Sequence, residues 1–134
     1  MTNVMRLLGL LTRVLLAVAA RVAAGDSVSI GQTICVTGWT RTIRPPSEYT
    51  SGLKLEQMRE YGVGGDPSGY QEDHLISLEL GGNPTDPRNL WPEPYPRASD
   101  VDKIENELNS EVCSGQLTLA EAQQREDDLK HTQG

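Results

Sequence analysis

The chain reads as one small α+β domain in which a β-hairpin is covered by a helix and flanked by further helices. Three observations carry this. The stretch Gln71 to Trp91 holds short apolar segments on either side of a Gly81-Gly82 turn and a proline-bearing loop, which is the layout of a hairpin. Val101, Ile104, Leu108 and Val112 recur at spacings of three and four, the apolar stripe of a helix that can cover that hairpin. Thr118 and Glu121 form a T-x-x-E capping box that opens a last helix, Leu119 to about Leu129.

Taken in order, the 134 residues leave room for one domain, residues 25–134, behind a leader at residues 1–24. Arg6 supplies a positive start, Val14 to Ala20 an apolar run, and Val22-Ala23-Ala24 a small-residue cleavage site before Gly25. Arg13 and Arg21 interrupt this pattern, so an uncleaved amphipathic helix or a misread start stays open, and with it a cytoplasmic rather than a periplasmic or secreted location. The run is too short and too charged for a membrane span, which predicts no stable membrane insertion once the leader is removed. Val28 to Ile43 alternates Ile34, Val36 and Trp39 with Thr and Gly and predicts one or two strands, ended by Pro45-Pro46. Thr50 or Ser51 can cap a helix carrying Leu53, Leu55, Met58 and Tyr61, closed by Gly62. In the central hairpin the outgoing strand is expected over His74 to Leu80 and the return over Asn89 to Trp91. Pro92, Pro94 and Pro96 then keep the chain extended until Ser99 caps the helix Asp100 to Cys113.

Cys35 and Cys113 are an even pair in a small chain with a leader, read most simply as one disulfide; two buried thiols are the alternative. No C-x-x-C pair occurs, which excludes a four-ligand zinc staple. Net charge is −7, and the leader's three arginines leave the remainder at −10. Such a surface repels phosphate, so binding to nucleic acid requires the remaining cations to be gathered: Arg41, Arg44, Lys54, Arg59, Arg88 and Arg97 are the candidates. The acids of the last helix, Glu121, Glu126, Asp127 and Asp128, are expected to face away from any substrate.

Chemistry concentrates in the hairpin. Asp73 directly precedes His74, and Asn89 follows after the turn. Neighbours on a strand point to opposite faces, so Asp73 and His74 serve one site only where the strand ends or bends. A histidine with an ordinary pKa near 6.5 suits proton abstraction at neutral pH, and a carboxylate suits a hard divalent ion. His131 is expected to lie in a frayed tail.

These residues resemble the HNH, or His-Me finger, nucleases, whose core is a β-hairpin and helix gripping a divalent metal. The similarity extends to small, mostly exported bacterial proteins carrying D-H-L-I-x-L-E-L-G-G, N-L-W-P-E-P, D-K-x-E-N and V-C-S-G, matched here by Asp73 to Gly82, Asn89 to Pro94, Asp102 to Asn106 and Val112 to Gly115. It spans Cys35 to about Gln124. The resemblance implies a ββα-metal core and metal-dependent, nonspecific hydrolysis of nucleic acid phosphodiesters outside the cytoplasm, DNA before RNA, with any inhibitor or immunity partner unknown. His74 would be the general base and Asp73 a ligand to Mg²⁺, with Mn²⁺ or Zn²⁺ as alternatives. Asn89 would orient the imidazole or ligate the ion. The third ligand falls to Asp100 by position, or to Asp102, where the family pattern has a histidine or asparagine; acids in a first helical turn also suit the macrodipole without a metal. Glu79 and Glu93 are further nearby carboxylates, and Arg88 or Arg97 would neutralise the scissile phosphate. The other class of reading is an exported binding or envelope-interaction domain that keeps the fold without catalysis.

Overall fold

The computed structural model describes residues 30–132; the expected leader lies outside them, as does the start of the Val28 to Ile43 stretch. The described chain is a small α+β domain of helices around one two-stranded antiparallel sheet. In order, the elements are α1 (Trp39–Ile43), α2 (Ser47–Glu60), β1 (Tyr70–His74), β2 (Leu90–Pro94), α3 (Arg97–Cys113) and α4 (Leu119–Thr132). None of these helices is long and apolar enough to cross a membrane.

Among the described residues, the strands expected before Pro45 are not formed. Their sequence instead makes turns and α1, entered through Gly38 in the left-handed region at φ 85°. Alternation alone does not make a strand without a partner edge, and here β1 and β2 pair with each other. Pro45-Pro46, expected to end a strand, ends α1 instead, and Pro46 leads straight into α2, which starts at Ser47, ahead of the expected Thr50 or Ser51 cap.

The hairpin exists, in a different place. β1 runs into His74 instead of starting there, and pairs with β2 in the register Tyr70↔Pro94 to His74↔Leu90. The segment Leu75–Asn89 is a loop built on two short 3-10 turns, Leu78–Leu80 and Pro87–Asn89. Leu78 and Leu80 are buried at 2% and 0% exposure, so this loop delivers apolar side chains to the core although it carries no strand. Each such leucine contributes about 1.5–3 kcal/mol on burial. Gly81 and Gly82 close the first turn for separate reasons. Gly81 holds φ 80°, and a Cβ on Gly82 would stand 1.7 Å from the Ile76 carbonyl oxygen.

α3 buries Val101, Leu108 and Val112 of its predicted stripe, whereas Ile104 is only half-buried and Glu105 takes the buried place next to it; the helix starts at Arg97, ahead of Asp100. α4 opens on the expected capping box: the Thr118 amide donates to Glu121 Oε2 at 2.8 Å and the Glu121 amide to Thr118 Oγ1 at 3.2 Å. Cys35 and Cys113 are joined in a disulfide with Cα atoms 5.5 Å apart, tying the segment before α1 to the end of α3.

Candidate active site

β1 stops at His74, and that termination brings Asp73 and His74 to one place. Both are buried at 6% exposure and both border a cleft of about 280 Å³ whose wall also includes Arg44, Glu79, Asp102 and Glu105. His74 Nε2 is 3.0 Å from the Pro84 carbonyl oxygen. A carbonyl only accepts, so Nε2 carries the hydrogen and the neutral ring's lone pair lies on Nδ1. Burial depresses the His74 pKa, aided by Arg44 and Lys130 and opposed by the Pro84 contact and Asp73, so the ring is neutral at pH 7.

Asn89 makes no hydrogen bond to the imidazole among the described residues, so of the two parts expected of it only the orienting one is served, and at one remove. Its amide is committed to the loop backbone: Nδ2 donates to Ile76 O at 3.0 Å and Asn83 O at 2.9 Å, while Oδ1 accepts from the Ile76 amide at 2.9 Å. These bonds hold the loop that carries Pro84, and the Pro84 carbonyl orients the imidazole. Asn89 therefore acts on His74 through the backbone.

Asp100 is likewise displaced as third ligand. Its side chain is 71% exposed and pairs with Lys103 at 3.7 Å. Starting α3 at Arg97 turns Asp102 and Glu105, three apart and hence on one face, toward the sheet. Asp73, Asp102 and Glu105 each offer an oxygen within 4.8 Å of the others. Gln71 Nε2 donates to Asp102 Oδ1 at 3.4 Å, linking β1 to this face of α3. The donor set is hard oxygen throughout, which fits Mg²⁺ or Mn²⁺ better than Zn²⁺.

A cation of the chain's own stands beside these acids. Lys130 of α4, its side chain fully enclosed, places Nζ 2.7 Å from Glu105 Oε1, 3.1 Å from Glu126 Oε1 and 3.0 Å from Asp73 Oδ2, and donates to the His74 carbonyl. The contact with Asp73 is an ion pair without hydrogen-bond alignment. Burial disfavours the ammonium, but Asp73, Glu126 and Glu105 outweigh it and raise the Lys130 pKa above its ordinary value. Glu126, expected to face away from any substrate, is fully buried beside these acids and accepts from the Ser77 amide with both oxygens at 3.1 Å. Sequence reading passed over Lys130 and Glu105 because their helix spacing says nothing of which distant strand they meet.

The remaining acids are pushed up by burial. Glu93 rises to about 8, through desolvation first and then its contact with Asp73; two adjacent carboxyls are compatible with a proton held between them. Glu105 rises to about 9, and Glu72 to about 7, in each case chiefly by desolvation. Glu79 is also raised, by burial and then Glu126. Neither arginine expected to meet a phosphate is free for it. Arg88 is bound to Asp86 at 2.7 Å out in solvent. Arg97 pairs with Glu93 at 3.3 Å, lies over the Trp91 ring at 5.6 Å and donates to the carbonyls of Leu129 and Lys130 at the end of α4. His131 pairs with Asp127 at 3.1 Å on the exposed side of α4.

Comparison of the chain with protein-family models, with curated proteins and with solved structures gives no match in any of the three.

Proposed function

We propose that this domain is a metal-dependent endonuclease of the HNH kind, with β1, β2 and α3 as its ββα-metal core. One observation carries the reading: a buried, neutral histidine, oriented through Nε2, shares a cleft with three carboxylates whose oxygens lie within 4.8 Å of one another. His74 takes the proton of the attacking water on Nδ1, because Nε2 is held by Pro84. Asp73, Asp102 and Glu105 would hold the divalent ion, which when bound supplies charge stabilisation at the phosphate and leaving oxygen. Asn89 keeps the Leu75–Asn89 loop, and so the imidazole, in place. The disulfide supports an oxidising compartment and therefore export. DNA is the preferred substrate class in this reading, without sequence selection.

Plasmid nicking by the 134-residue chain with Mg²⁺ or Mn²⁺, against EDTA and beside His74→Ala, tests the proposal. Metal-dependent cutting that the variant loses is the expected result. Absence of cutting with either ion, together with calorimetry showing no ion uptake, refutes it. That outcome would favour the second reading, a noncatalytic exported binding domain, for which the specific observation is Lys130: its ammonium already stands 3.0 Å from Asp73 and 2.7 Å from Glu105, two of the three candidate ligands.

A further inference from the structure

Arg44 is the residue before Pro45-Pro46, a position that steric contact with the proline ring keeps extended. Its backbone sits at φ −62°, ψ 128°, and its amide closes α1 by donating to Thr40 O at 3.0 Å. Pro45 beside it is buried. The backbone is thus fixed while Arg44 borders the cleft that contains His74, where it is the only Arg or Lys among the described lining residues. Four carboxylates line the same wall, Asp73, Glu79, Asp102 and Glu105, yet the Arg44 side chain closes no ion pair and donates no hydrogen bond among the described residues. Arg88, Arg97 and Lys130 are each committed to an acid, and Lys54 to the carbonyls of Pro67 and Tyr70.

We propose that Arg44 is the anchoring cation of this cleft, receiving the nonbridging oxygens of an internal phosphodiester and setting it beside His74. The inference rests on the nuclease reading for the use made of the phosphate, and on the cleft alone for its binding. A guanidinium presents paired donors that match two phosphate oxygens. The surrounding acids refine the choice of ligand. An internal phosphodiester carries one negative charge, which one guanidinium balances; a terminal phosphomonoester brings a second charge into a wall of carboxylates. The cleft therefore selects internal linkages over chain ends.

The test follows the His74 ring resonances of the full chain in EDTA while a 12-mer deoxyoligonucleotide without terminal phosphate is added, and separately a nucleoside 5′-monophosphate. A saturable shift with the oligonucleotide is expected, with binding weakened by about tenfold or more in Arg44→Ala. Arg44→Lys should retain part of the affinity, and the salt slope of log K should fall by about one for the alanine variant. Thermal melts of both variants report whether the fold is kept, and Arg44→Lys carries the test should Arg44→Ala unfold. Equal oligonucleotide affinity in wild type and variant, or tighter binding of the monophosphate, overturns the inference. Binding that depends on Arg44 without nicking under any ion sustains it and removes the catalytic reading. Nicking with KM unchanged in Arg44→Ala does the reverse.

Discussion

At the residue scale the site is a small number of side chains held by backbone groups. Asn89 is the clearest case, because one amide satisfies both the N–H and the C=O of Ile76 and a carbonyl of Asn83. Asn89→Ala leaves these groups without their partner, at a cost of about 2–3 kcal/mol. Urea unfolding should show that loss, and on the proposed function nicking should fall while ion affinity, assigned there to Asp73, Asp102 and Glu105, stays unchanged. An unaltered unfolding midpoint would mean that the loop is held elsewhere. Asp73, His74 and the cysteine pair were legible as residues because each is defined by local order or by count. Asp102 was not separable from Asp100, since the choice depends on helical phase and α3 begins three residues before the expected start.

At the scale of elements, α4 decides more than its surface-like composition suggests. It supplies Glu126 and Lys130 to the interior and Gln123 to the Leu80 carbonyl at 2.8 Å. A glance along Leu119 to Thr132 finds charges on every side, so only the tertiary fold reveals which of them are buried. Lys130→Met removes the cation and leaves Asp73, Glu105 and Glu126 enclosed together, a loss of about 3–5 kcal/mol near neutrality. Its pH dependence has a definite sign. Glu105 in the folded state holds its proton to about 9 against an ordinary 4.5, so its favourable contribution is present below 4.5 and is lost as pH rises toward 9. That value already includes the pull of Lys130, whose own contribution, its pKa being raised above the ordinary 10.5, is present throughout the neutral range and is given up only above 10.5. Thermal melts of the wild type should therefore fall as pH rises from 5 to 8, with Lys130→Met below the wild type at both; a wild-type Tm that does not fall over that range would refute the burial of the Glu105 carboxyl in this network. The hairpin and the covering helix were legible as elements, whereas the position of β1 was not. The apolar His74 to Leu80 segment looks like a strand because its leucines are buried, yet they are buried from a 3-10 turn.

For the whole molecule, the disulfide is the longest-range covalent restraint, joining residues 78 apart in sequence. Loop closure of that length is worth about 4 kcal/mol at most in the chain-entropy account. Cys35→Ser with Cys113→Ser should lower Tm by about 10 °C or more. A change of only a degree or two would show that Asn109, which bonds the carbonyls of Ile34 and Glu79 at 3.1 and 2.9 Å, suffices to seat the segment before α1. That the chain forms one small α+β domain was readable from its length and periodicities; that its centre is ionic was not, because no local pattern announces a buried charge. Lys130 lies 56 positions beyond the His74 carbonyl it meets. During synthesis, then, the hairpin and α3 emerge while Asp73 and Glu105 still lack the Lys130 ammonium, which reaches the cleft only when α4 docks. A chain halted before α4 would hold every candidate ligand and the histidine but not the ammonium that faces Asp73 and Glu105, so docking of the last helix completes the electrostatics of the cleft.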